Sequence, residues 1–183
     1  MNKIESGVLL VSDPFLKDPN FLRSVILVCE HEAEGSLGFV LNKPYSRNLN
    51  QLIDGVDELH YPVFSGGPVQ LDSLHFLHTK PRLIEGGLNI VNGIYWGGNF
   101  EQALELMKTK QITPRDIRFY IGYSGWSIGQ LDAEVEEKSW LIHNAARQFV
   151  FHHNADMLWK DVVKDMGGDY KQLVNYPIDP QLN

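Results

Sequence analysis

Two apolar runs set close together, Ser24–Glu30 and Ser36–Asn42, constrain this chain more than any other feature. Five residues separate them, His31-Glu32-Ala33-Glu34-Gly35, and that spacing predicts an antiparallel hairpin. Each run is apolar at consecutive positions, so both of its faces need cover. Such a hairpin belongs inside a sheet and not at its edge. An interior hairpin needs further strands beside it. Gly7–Val11, ended by Ser12-Asp13-Pro14, supplies one, and Pro62–Ser65, Leu74–His78, Asn89–Tyr95 and Ile117–Ile121 supply others.

The helices announce themselves by their caps. Asn99 stands three residues before Gln102, and Phe100, Ala103, Leu104 and Met107 share one face. Ser127 and Gln130 repeat the capping pattern ahead of Ile128, Leu131 and Val135. Asn154 caps a last helix with the stripe Leu158, Val162 and Met166, stopped by Gly167-Gly168. Strands and helices mix without a βαβ rhythm, which predicts an α+β fold over a doubly wound sheet. No Pro/Gly/Ser-rich linker divides the chain, so residues 1–183 are expected to form a single domain.

A chain of 183 residues buries a core without needing a disulfide or metal staple. Cys29 is the only cysteine, which excludes an intramolecular disulfide and a thiolate metal cage. The first residues lack a long apolar stretch and a cleavage-like site, so no secretion signal is expected. The longest apolar runs are too short for a bilayer, and the expectation is a cytoplasmic protein without membrane contact. The net charge is −7, and the 16 Lys and Arg residues are scattered along the chain. Duplex DNA binding needs a concentrated basic surface, so nucleic acid is not the expected partner.

Two polar, glycine-containing segments carry the candidate chemistry. Arg118–Ser127 reads as a strand running into a glycine turn and then a helix. Gly122 and Ser124 fit the first part of the G-x-S-x-G nucleophile elbow, but Trp126 stands where the second glycine belongs. No triad partner is marked for Ser124. The turn is read either as a tight turn that Gly122 and Gly125 permit and Trp126 anchors to the core, or as presenting backbone N–H groups to an anionic ligand through Gly122, Tyr123, Trp126 and Gln130. Gly97-Gly98-Asn99 has the same glycine-to-helix form. In the other segment, Cys29-Glu30-His31 lies at one end of the hairpin, with Cys29 expected to be a buried hydrophobe and Glu30 and His31 a possible polar site. Arg23, Ser24 and Asn42 lie at the opposite end, where Arg23 either pairs with Asp18 or holds a carboxylate or phosphate. Gly66-Gly67-Pro68 is a turn first and a ligand contact second. His75 with His78, and His152 with His153, are expected to diverge, so neither a metal site nor a cofactor is predicted. Thr113-Pro114-Arg115-Asp116 after the Asn99 helix leaves too little chain for a recognition helix before the next strand.

On these residues the sequence resembles the AlgH/YqgE family of bacterial proteins. The carriers are residues 15–25 (Phe15 to Val25), Cys29-Glu30-His31, Gly35–Pro44, Gly66-Gly67-Pro68-Val69 and Gly122–Trp126 with Gly129-Gln130-Leu131. Their order and spacing agree over nearly the whole chain. The resemblance implies a compact α+β fold with a branched mixed sheet and a small barrel-like portion surrounded by helices. It also implies a label, transcriptional regulator, without an established activity or catalytic residue. Ser36, Lys43 and Ser124 depart from alanine, arginine and alanine in many members, so Ser124 is not a nucleophile the family depends on.

Three function classes follow. The first is a regulatory or binding module for a small anionic ligand or a protein, using Arg23, Ser24, Asn42, Gly66-Gly67-Pro68 and the Gly122–Gln130 turn. The second is a hydrolase using Ser124 or a Glu30–His31 pair. The third is a direct DNA-binding regulator, which the acidic balance disfavours.

Overall fold

The expected hairpin forms and lies inside a sheet. The computed structural model describes residues 4–176. Strand β2 (Val25–Glu32) pairs antiparallel with β3 (Gly35–Val40) from Ile26↔Val40 to Glu32↔Gly35. Strand β1 (Val8–Ser12) covers the other edge of β2. The register slips between Val28 and Glu30, leaving Cys29 as an extra residue in the β2 ladder.

Strands β4 (Val63–Ser65), β5 (Val69–His78), β6 (Leu88–Val91) and β7 (Ile94–Trp96) precede helix α1 (Phe100–Lys108). Then come β8 (Ile117–Trp126), α2 (Gln130–Glu136), β9 (Trp140–Asn144), α3 (Arg147–Val150) and α4 (Ala155–Met166). The strands form one curled sheet in the order β6-β7-β5-β8-β3-β2-β1-β9, with β4 attached to β8. All pairings are antiparallel except β4 with β8, so the sheet is mixed and the fold is α+β.

Strand β8 is where the sheet branches. Its first half lies between β4, through Val63↔Phe119 to Ser65↔Ile121, and β5, through Leu74↔Ile121 to His78↔Ile117. Its second half exchanges β4 for β3, through Gly38↔Ser124 to Ser36↔Trp126. The Gly66 carbonyl accepts from the Val40 N–H at 2.9 Å, and the Gly66 N–H donates to Ile121 at 2.8 Å. Thus β4 and β3 follow one another along one edge of β8.

This corrects the expected turn at Gly122–Trp126, which is strand. Gly122 adopts φ +66 and kinks β8 without ending it. The glycines are needed for close packing between backbones. A Cβ on Gly67 would lie 2.2 Å from the Tyr123 carbonyl carbon, and one on Gly66 would lie 2.4 Å from the Gly122 oxygen. The reading of Gly122 as a stop mistook a partner exchange for a chain reversal.

Three other expectations change. Asn89–Tyr95 is two strands, β6 and β7, because Asn92 and Gly93 turn the chain with φ +23 and +80. Helix α2 starts at Gln130, after Gly129 in the left-handed region, while the Gln130 side chain still caps the Ser127 N–H at 3.0 Å. Strand β9 was not anticipated. It pairs with β1 along its whole length and adds the strand beyond β1. Helices α1 and α4 start as expected, with Asn99 Oδ1 accepting from Gln102 and Asn154 Oδ1 from Asp156 and Met157, while α3 had no counterpart among the expected helices.

The central strands are buried on both faces, and their alternating side chains enter three apolar clusters. Leu9, Val11, Val25, Leu27, Phe39 and Tyr120 pack with Phe149, Leu158, Trp159 and Val162 of α3 and α4. Ile117, Phe119 and Ile121 pack with Val63, Phe76 and the α1 residues Ala103 and Met107. Leu10, Ile26, Val28 and Val40 pack with Trp126, Trp140 and Leu131 of α2. Among the described residues no helix is long and apolar enough to cross a membrane.

Candidate functional site

The residues singled out by sequence fall into separate places. Ser24 and Asn42 are buried, and the chain uses their polar groups. Asn42 Oδ1 accepts from the Val25 N–H at 3.0 Å, while Nδ2 donates to the Arg23 carbonyl at 2.9 Å. Ser24 Oγ donates to the Phe21 carbonyl at 2.7 Å. Arg23 takes φ +46 and lays its guanidinium 4.7 Å from the centre of the Trp159 ring. Its Nη2 donates to the Tyr176 carbonyl. It does not pair with Asp18, whose carboxylate accepts from the Asn20 N–H at 2.9 Å.

Gly66, Gly67 and Pro68 run against Gly122 and Tyr123 at the branch of the sheet. Trp126 is buried, and its Nε1 donates to Glu134 Oε2 at 2.9 Å. Trp140 Nε1 reaches the same oxygen at 2.8 Å, and Gln130 Nε2 donates to Glu134 Oε1 at 2.9 Å. These four side chains fasten α2 to the sheet. Tyr123 and Trp126 also line a smaller recess of about 410 Å³ with Glu30, Glu32 and Glu34. That recess is acidic, so it suits an anion poorly.

Neither candidate catalytic set is assembled. Ser124 is 0% exposed, and its Oγ donates to the Gly66 carbonyl at 3.1 Å. His31 Nδ1 lies 2.8 Å from Ser36 Oγ and is not joined to Glu30, which is exposed. Cys29 is buried, and burial, reinforced by the charge of Glu30, pushes its thiol pKa up and out of the reactive range.

A larger groove lies elsewhere, with a volume of about 1140 Å³. Val63 and Phe64 of β4, Pro44 and Tyr45 beside them, and Phe151 after α3 form its apolar wall. Its polar wall has Arg115, Arg118 and Arg147 with His152 and His153, and among the described residues no Asp or Glu lines it. A chain of net charge −7 thus gathers three guanidiniums into one groove. Three of the basic residues scattered in sequence thus meet in one place.

Arg118 is the centre of this arrangement. It is the second residue of β8 and is only 8% exposed. Its guanidinium sits 5.0 Å from the centre of the Phe64 ring, and Nη2 donates to the His152 carbonyl. Among the described residues no carboxylate oxygen comes within 4.0 Å of its nitrogens. Burial lowers its pKa, but an arginine stays charged at neutral pH. A buried charge with no opposite charge is costly, so this position favours an anion from outside the chain.

Two other groups of this wall have carboxylate neighbours. Arg147 lies 3.5 Å from Asp116 Oδ1, which also takes Lys80 at 3.2 Å. Burial alone would raise the Asp116 carboxyl, but the Thr113 N–H and Lys80 outweigh it and hold its pKa below the usual range. His152 Nε2 lies 3.2 Å from Asp161 Oδ2, and its ring stacks on His153 at 4.8 Å. The expectation that these two histidines diverge is corrected here. They sit in a turn after α3, where strand alternation does not apply. None of the residues first proposed for ligand binding lines this groove.

The AlgH-like family model matches residues 9–171. The chain is 43% identical over 180 residues to a UPF0301 protein of Chlorobaculum tepidum, covering 98% of this chain and 96% of that one. It is 40% identical over 181 residues to a UPF0301 protein of Cytophaga hutchinsonii, covering 98% and 100%. The fold is similar to that of a crystallised protein from Corynebacterium diphtheriae, with a TM-score of 0.77, 21% identity and coverage of 96% and 94%. It is also similar to the solution structure of the AlgH protein from Pseudomonas aeruginosa, with a TM-score of 0.73, 23% identity and coverage of 97% and 98%.

Proposed function

The chain belongs to the AlgH-like family, and on that premise we propose that it is a cytoplasmic binding module that holds an organic anion in the groove around Arg118. One observation carries this reading: a buried arginine, without a carboxylate partner among the described residues, lining this groove. The enclosed Ser124 and the unpaired Glu30 and His31 favour binding over turnover. Any influence on transcription is then indirect, exerted through the bound ligand or through a protein that senses it.

Thermal unfolding with a panel of organic anions at fixed ionic strength tests the reading. At least one anion should stabilise the native state, by about 2.7 kcal/mol at a hundredfold excess over its dissociation constant. The stabilisation should vanish in Arg118→Gln and persist in Arg23→Gln, which separates the groove from the hairpin end. A chain that no anion stabilises, or that loses binding only with Arg23, would overturn the proposal.

A further inference from the structure

Resting on that reading of the groove, we propose that the ligand is an organic phosphate monoester, a single dianionic phosphoryl group on a flat or apolar body. Charge balance is the first argument. Arg147 shares the single Asp116 carboxylate with Lys80, and His152 lies beside Asp161. Arg118 and Arg115 have no carboxylate partner among the described residues, and both line the groove. At least two positive charges without a carboxylate partner thus line one groove, and a dianion balances them more fully than a monocarboxylate does.

Donor geometry is the second argument. A guanidinium presents five N–H donors in a planar fork that suits phosphate oxygens. Arg118 gives Nη2 to the His152 carbonyl, which fixes the fork in place and leaves its other donors for a ligand. Phe64 backs the guanidinium on one face, so its orientation is set before anything binds.

The body of the ligand follows from the opposite wall. A groove of about 1140 Å³ is far larger than an inorganic phosphate needs. Tyr45, Val63 and Phe151 offer apolar surface beside the cations, which a bare ion cannot use. A polyanion is disfavoured, because nucleic acid needs a track of many cations and this chain carries −7 overall.

Isothermal titration of the full chain tests this with phenyl phosphate, adenosine monophosphate, methyl phenyl phosphate, benzoate and inorganic phosphate at one ionic strength. The monoesters should bind at least ~10-fold tighter than the diester, benzoate and inorganic phosphate, a gap of about 1.4 kcal/mol. Their affinity should rise as pH passes about 6, where the second phosphate proton leaves. Arg115→Gln changes an exposed residue, and it should bring phenyl phosphate down to the level of the diester. Equal binding of benzoate or the diester overturns the phosphate-monoester assignment and leaves anion binding standing. Inorganic phosphate binding as tightly as phenyl phosphate overturns the organic body. Tighter binding of an oligonucleotide overturns the single phosphoryl group. If none of the probes and no other anion binds, the reading of the groove falls with it.

Discussion

His78 illustrates how a single residue sets a condition on the fold. It is fully buried on β5, yet both ring nitrogens have partners. Nε2 lies 2.9 Å from the Gly97 carbonyl and donates to it, while Nδ1 accepts from the Lys80 N–H at 3.1 Å. Only the neutral ring with its proton on Nε2 satisfies both. Protonation would turn Nδ1 into a donor facing a donor. Burial accordingly lowers the His78 pKa from 6.5, an effect the Gly97 carbonyl partly offsets. Because the folded pKa is below the unfolded one, the unfolded chain takes up the proton first on acidification. The stabilising contribution is complete above pH 6.5 and is lost as pH falls from there through the folded pKa. His78→Gln should flatten that part of the pH–stability curve. Denaturant midpoints from pH 8 down to about pH 5 measure it, and a wild-type curve that the substitution leaves unchanged would refute it. His75, whose pKa burial also lowers, contributes in the same direction and remains in the variant.

At the scale of elements, Asn42 separates what the sequence makes readable from what it hides. The β2–β3 hairpin is readable because its strands are apolar on both faces, and α1 and α4 because Asn99 and Asn154 cap them. The β8 branch is not, since a left-handed glycine inside a strand and one ending a strand look the same in one dimension. Strand β9 mixes exposed and buried positions and has no turn signal of its own. Arg118 left a faint trace as a charge inside the apolar run Ile117–Ile121, but its partners His152 and Phe64 lie 34 and 54 positions away in sequence. Asn42 was legible as special, and its two hydrogen bonds show its work: they take up the Val25 N–H and the Arg23 carbonyl beyond the end of β3. Asn42→Ala should therefore cost about 1–3 kcal/mol of stability through two unsatisfied backbone groups. Anion affinity measured well below the lowered melting temperature should stay at the wild-type value. Lost affinity without lost stability would return Asn42 to the binding site.

The whole molecule is tied together by β8. Tyr120 enters the cluster under α3 and α4, Ile117, Phe119 and Ile121 enter the one beside α1, and Trp126 enters the one beside α2. One strand thus contributes buried side chains to all three cores, so none can be exposed without disturbing the others. Trp159 reinforces the link by donating from Nε1 to the Ser12 carbonyl at 2.9 Å, which holds α4 on β1. Three separate clusters would suggest stepwise melting, but the shared strand argues for one cooperative transition. Cys29 provides an internal reporter, because its thiol is buried in the first cluster and protected from reaction while that cluster stands. Tryptophan fluorescence reports on Trp96, Trp126, Trp140 and Trp159 together, and circular dichroism reports on the helices. Denaturation followed by these two signals and by Cys29 labelling, with short labelling pulses, should give coincident midpoints. Labelling of Cys29 at denaturant concentrations where fluorescence is still native would show that the first cluster opens alone, and that β8 does not couple the cores.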